Sequence, residues 1–138
     1  MKRAFVLMLV AAVMTSSPAM AISHFKKVWG EHYTPSEGPG ADDVDPEFKK
    51  ATRKAGCYLC HVKGEDKKKV RNEYGEALHK YLKAEDFSKD RIKAEPEKVQ
   101  EEIVAAFKKV EEMKSKDEKT FGAKIKANEL PATDANLD

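Results

Sequence analysis

The chain has 138 residues, 36% charged and 41% hydrophobic, with 26 basic and 24 acidic side chains and two cysteines. That length holds one ordinary domain and excludes multidomain machinery. Two cysteines can form at most one disulfide, which excludes a disulfide-framed scaffold.

The first segment reads as an export address. Met1, Lys2 and Arg3 precede an apolar run from Ala4 to Met14, and Thr15-Ser16-Ser17-Pro18-Ala19-Met20-Ala21 closes it. A basic start, an apolar core of about ten residues and a small-x-small site are the parts of a secretory signal peptide. Residues 1–21 are therefore expected to be cleaved before Ile22, and the protein to be periplasmic or otherwise exported. The run is well short of the ~20 residues that span a bilayer and no later stretch is longer, so the mature protein is expected to have no membrane span. Removing residues 1–21 takes Lys2 and Arg3 and no acid, leaving 24 basic and 24 acidic side chains. It also leaves Met113 as the only methionine, beside His24, His32, His61 and His79.

Residues 22–46 are expected to form an N-terminal helix and a Pro/Gly/Asp-rich loop. Ser23 is the expected N-cap of a helix on which Phe25, Val28, Trp29, His32 and Tyr33 share a face. Pro35, Gly38, Pro39, Gly40, Asp42, Asp43, Asp45 and Pro46 then predict an exposed loop. A second helix restarts near Asp45-Pro46 and runs through Phe48, Thr52 and Ala55. After a charged connection over 63–69, Val70, Tyr74, Ala77, Leu78, Tyr81 and Leu82 predict a third. The clearest helix starts at Pro96 and runs about twenty residues, with Val99, Ile103, Ala106, Phe107, Val110 and Met113 on one stripe. Phe121-Gly122, Ile125, Leu130 and Pro131 predict a short turn or helix, and residues 132–138 a flexible tail.

Between the second and third helices lies Cys57-Tyr58-Leu59-Cys60-His61, a C-x-x-C-H motif. A thioredoxin-like redox pair would follow a buried strand, and no run here has the β-branched alternation of one. Structural zinc takes four ligands, and the chain has no second Cys/His pair. Joined to a signal peptide, with no cysteine elsewhere, the motif resembles that of the c-type cytochromes. With 35 residues between Ala21 and Cys57 and 77 after His61, the resemblance is to a divergent monohaem subgroup rather than to the common small or four-helix-bundle members. It implies an all-α fold, a small cytochrome c-like helical domain over residues 47–131 wrapped around one covalently bound haem c. It also implies thioethers at Cys57 and Cys60 and His61 as proximal iron ligand. The two intervening residues bring both sulfurs to one porphyrin edge and set His61 beneath the ring.

The second axial ligand decides between electron transfer and ligand binding. Met113, 52 residues after His61, is the first candidate, a separation similar to that in small His/Met cytochromes. His32 is the runner-up because it shares the apolar face of the first helix. His79 and His24 follow, and a vacant position is the remaining choice. Charge offers a further sign: residues 22–46 sum to −3, residues 47–71 to +6 and residues 72–138 to −3. A basic zone around the motif would steer an acidic docking face on a redox partner. Nucleic acid is a poor partner for an exported chain with no net charge and no aromatics interleaved among its lysines.

These readings converge on a monohaem electron carrier acting between redox proteins, as a monomer or as a heterodimer with a related cytochrome. The alternative is a gas-binding or sensing haem protein with a vacant or weakly ligated distal position. Enzymatic activity of a peroxidase kind is not expected, since only His32 and His79 offer a distal acid/base.

Overall fold

The computed structural model describes residues 18–67 and 69–137, with side chains described from residue 22 onward. The expected signal peptide lies outside the described residues up to residue 17, and residues 18–21 are the first turn of a helix. The described residues form six helices in chain order: α1 (Pro18–Tyr33), α2 (Pro46–Ala55), α3 (Glu73–His79), α4 (Lys89–Ala94), α5 (Pro96–Glu111) and α6 (Phe121–Lys126). Short 3₁₀ turns occupy Gly56–Leu59 and Ala84–Asp86. Among the described residues there is no β-strand, only two isolated bridges, so the fold is all-α as expected. No described helix is long and apolar enough to cross a membrane.

Local chemistry sets the helix ends. Asp45 caps α2, accepting from the Phe48 amide at 2.9 Å, and Pro46 occupies the first turn where its missing N–H costs nothing. Ser88 caps α4 and Thr120 caps α6 through their hydroxyls. α4 stops at Ala94 because Glu95 precedes Pro96, which disfavours the helical backbone, and Glu95 sits at φ −132°, ψ 55°. α5 restarts at once with Pro96 in its first turn.

α5 is the helix that α1, α3, α4 and α6 all pack against. Its expected stripe is buried: Val99, Ile103 and Val110 are fully covered, with Ala106 and Phe107 beside them. α1 brings Val28 and Trp29 to this core, and Phe25 meets Phe87 edge-on with ring centroids 5.1 Å apart. The Trp29 indole N–H donates to the Tyr74 hydroxyl at 2.8 Å, tying α1 to α3. The Tyr33 hydroxyl donates to Glu111 Oε1 at 2.7 Å, tying α1 to the end of α5. Burial pushes both phenols above the usual tyrosine range.

Several boundaries differ from the sequence reading. Ser23 lies within α1 and does not cap it. In the 34–46 loop Ala41 is buried, and its carbonyl accepts from Lys49 Nζ. α3 is only seven residues long, beginning after Val70 and ending before Tyr81, which is exposed. α5 has sixteen residues and ends at Glu111, so Met113 falls beyond it. α4, which buries no side chain, has no apolar period by which to announce itself. Where composition predicts a flexible tail, residues 131–137 lie on the body: Pro131 is fully buried, Ala135 is buried and Leu137 packs against the core.

The α5–α6 turn is built around Asp117. It accepts from the Ser115 hydroxyl, from the Lys119 amide at 3.2 Å and from the buried Lys124 ammonium at 2.9 Å. The Ser115 hydroxyl first, and Lys124 next, hold its carboxyl down at about 2.

Two outcomes follow for stability. Tyr74→Phe should leave the buried Trp29 N–H without its acceptor and cost about 1–2 kcal/mol, read as a lower urea midpoint by fluorescence of the single tryptophan. An unchanged midpoint would refute that role for the bond. The depressed Asp117 carboxyl stabilises the fold fully above its unfolded value near 3.8, and this contribution is lost as pH falls towards about 2. Melting temperature should therefore drop across that window, and the drop should be smaller in Asp117→Asn.

Candidate functional site

The C-x-x-C-H motif begins where α2 must stop. Gly56, at φ +55°, ends the helix in the left-handed region that a side chain resists, and its amide still donates to the Thr52 carbonyl. The chain then tightens into the 3₁₀ turn, closed by the Cys60 amide donating to the Cys57 carbonyl at 3.3 Å. Leu59 anchors the turn in the core. Both cysteines are free thiols: Cys57 is exposed, whereas Cys60 is partly buried and packs against the core. Burial, with Cys57 adding to it, pushes the Cys60 thiol up to about 12.

His61 is buried, and its main chain forms an isolated antiparallel bridge with Arg71. Its Nδ1 lies 3.0 Å from the Val70 carbonyl oxygen. A carbonyl can only accept, so Nδ1 carries the proton and, in the neutral ring, Nε2 carries the lone pair. A contact of this kind fixes the tautomer and the orientation of an imidazole ring.

Asn72 stands two residues beyond Val70 and is completely buried. Its Oδ1 accepts from the Gly75 amide at 2.9 Å and so caps α3. Its Nδ2 faces the carbonyls of Tyr58 at 3.0 Å, Leu59 at 3.1 Å and His61 at 3.3 Å. Its main-chain N–H donates to the Cys60 carbonyl at 3.0 Å. One turn further on, α3 lies so close to the motif that a Cβ at Gly75 would fall 2.0 Å from the Cys60 carbonyl oxygen.

The C-terminal segment closes the other side. The Lys63 amide donates to the Ala135 carbonyl at 2.9 Å, and the Glu73 amide to Asp134 Oδ1 at 2.9 Å. The Glu73 carboxylate accepts from the Thr133 amide and hydroxyl, each at 2.7 Å, and from the Lys116 amide at 2.6 Å. Outside the turn, Lys67 Nζ sits 5.0 Å from the Tyr58 ring centroid, and Arg53, Lys54, Lys63 and Lys69 are exposed.

The structure thus brings Cys57, Cys60 and His61 onto one turn. Met113 lies just past α5, partly buried against the core, its amide donating to Val110 and its carbonyl accepting from Phe121. His32 is exposed on α1, its ring 4.6 Å from that of Tyr33 and 6.4 Å from that of Phe107. His79 is the half-buried last residue of α3. His24 lies on α1, and burial lowers its pKa first, with Lys27 adding to that. Among the described residues no group of three or more His, Cys, Asp or Glu is placed to hold a metal ion. The sequence reading missed Asn72, Gly75 and the Val70 carbonyl. An Asn three residues before Gly75 at the head of an apolar period is an N-cap signal that points to the first.

His61 thus presents Nε2 as its lone-pair nitrogen, in a motif whose two thiols are free. Compared with protein-family models, with curated proteins and with solved structures, the chain matches none. The contact at Gly75 yields a direct expectation. Gly75→Ala should destabilise the fold by about 2 kcal/mol or more through overpacking against the Cys60 peptide, measured by urea denaturation. A neutral result would show that α3 can move away from the motif freely.

Proposed function

We propose that the chain is a monohaem c-type cytochrome, exported across a membrane, which carries single electrons between redox proteins. The observation that carries this reading is the His61 Nδ1 contact to the Val70 carbonyl, within a motif whose two cysteines are free. Haem c supplies a one-electron iron couple when bound.

The chain's own residues do the rest. Cys57 and Cys60 would hold the group through thioethers, the first from the exposed side of the turn and the second from the side facing the core. His61 would supply an iron ligand through Nε2. Its donation to Val70 orients the ring and raises the basicity of Nε2. Met113 would be the candidate for the other protein ligand, and a thioether would raise the potential relative to a second imidazole. The exposed Arg53, Lys54, Lys63 and Lys69 attract an acidic docking face, and that attraction is salt-sensitive because exposed charges are screened within about 8–10 Å.

Expression of the full chain with a c-type maturation system in a bacterial periplasm tests this. One covalent haem per chain is expected, retained on a denaturing gel and lost when Cys57 and Cys60 are both changed to Ala. A ferrous form indifferent to carbon monoxide, and made reactive to it by Met113→Ala, places the methionine on iron. Uptake of carbon monoxide by the unaltered protein would replace the carrier reading with gas binding, and a chain that takes up no covalent haem would refute both.

A further inference from the structure

We propose that Asn72 is the positioning residue of the C-x-x-C-H turn, acting through its side-chain amide rather than through its helix cap; this rests on the reading of the motif given above. Four consecutive carbonyls, those of Tyr58, Leu59, Cys60 and His61, all end on this one residue, three on Nδ2 and one on the main-chain N–H. The peptide planes that follow Tyr58, Leu59, Cys60 and His61 are thereby turned towards Asn72, and the directions of the side chains between them follow. The residue is completely buried, so no bulk water replaces a lost donor there.

Three consecutive residues, Val70, Arg71 and Asn72, hold His61 at both ends. The Val70 carbonyl takes the ring Nδ1–H, Arg71 bridges the main chain, and Asn72 takes the His61 carbonyl. Only a side chain with an acceptor and a two-hydrogen donor on one short stem meets both demands. Aspartate keeps an oxygen for the Gly75 amide and sets a second oxygen against three carbonyls. Serine keeps the cap and offers a hydroxyl too short to reach the turn. The pair Asn72→Asp and Asn72→Ser therefore separates cap from clamp.

Two readouts test this. The full chain, produced without haem attachment and with reduced cysteines, is labelled with ¹⁵N, and the His61 tautomer is read at alkaline pH while far-ultraviolet circular dichroism reports helix content. The unaltered chain should show the Nδ1–H form. Both variants should keep their helix content and shift His61 towards the Nε2–H form. Under maturation, their yield of covalent haem should fall at least tenfold, whereas Ile103→Val, a core change in α5, should leave yield and tautomer unchanged. Variants that keep the Nδ1–H form, or that fall no further than Ile103→Val, overturn the inference, as does loss of helix content in both, which would assign Asn72 to the fold alone. Failure of the unaltered chain to take up haem would refute the cytochrome reading, and the tautomer readout would still decide the role of Asn72.

Discussion

A tight turn that sits against the core buries several of its own carbonyls, and a buried carbonyl without a donor is costly. In this chain most of that constraint is met by one residue, through its side chain and its main-chain N–H. Asn72 gathers the carbonyls of the motif while its oxygen starts α3, so the end of the turn and the beginning of the helix are one event. The close approach at Gly75 follows, because a helix started from inside the turn has to pass directly over the Cys60 peptide. Asn72 and Gly75 are thus two aspects of one packing arrangement.

The rest of the chain makes that arrangement stiff. A sequence with this many charges has few apolar residues to spend on a core, and it concentrates them on the stripe of α5 and on aromatic contacts from α1 and α3. Trp29, Tyr74 and Phe121 form a connected path, with the Trp29 hydrogen bond at one end and an edge-on ring contact of 5.1 Å at the other. Tyr74 sits next to Gly75 on α3, so the helix that carries the motif's clamp is itself pinned from both α1 and α6. Hydrogen bonds of the phenols orient these rings where shape alone would leave them free to slide.

What was legible in the sequence is what is local. Asp45 and Pro46 announced α2, Pro96 announced α5, and the spacing of Cys57, Cys60 and His61 announced the motif, because each signal lies within a few residues of its effect. The supporting groups act from further away. Val70 looks like the first apolar residue of a helix, yet it lies before α3 and its value to the site is its carbonyl, which no pattern of side chains records. Met113 continues the three-residue step from Val110, although the backbone has already left the helix to form the turn that Asp117 organises. Glu73 and Asp134 read as two more surface acids in a charged chain. Their partners lie 60 and 61 residues away in sequence, beyond the reach of any periodicity.

That last pairing bears on the order in which the molecule is made. Contacts between Asn72 and the motif span 11 to 14 residues, a loop that closes quickly and at small entropic cost. The strap formed by Thr133, Asp134 and Ala135 closes loops several times longer, and such contacts form late in folding. The turn can thus take its shape while the chain around it is still open, and the strap then covers one flank.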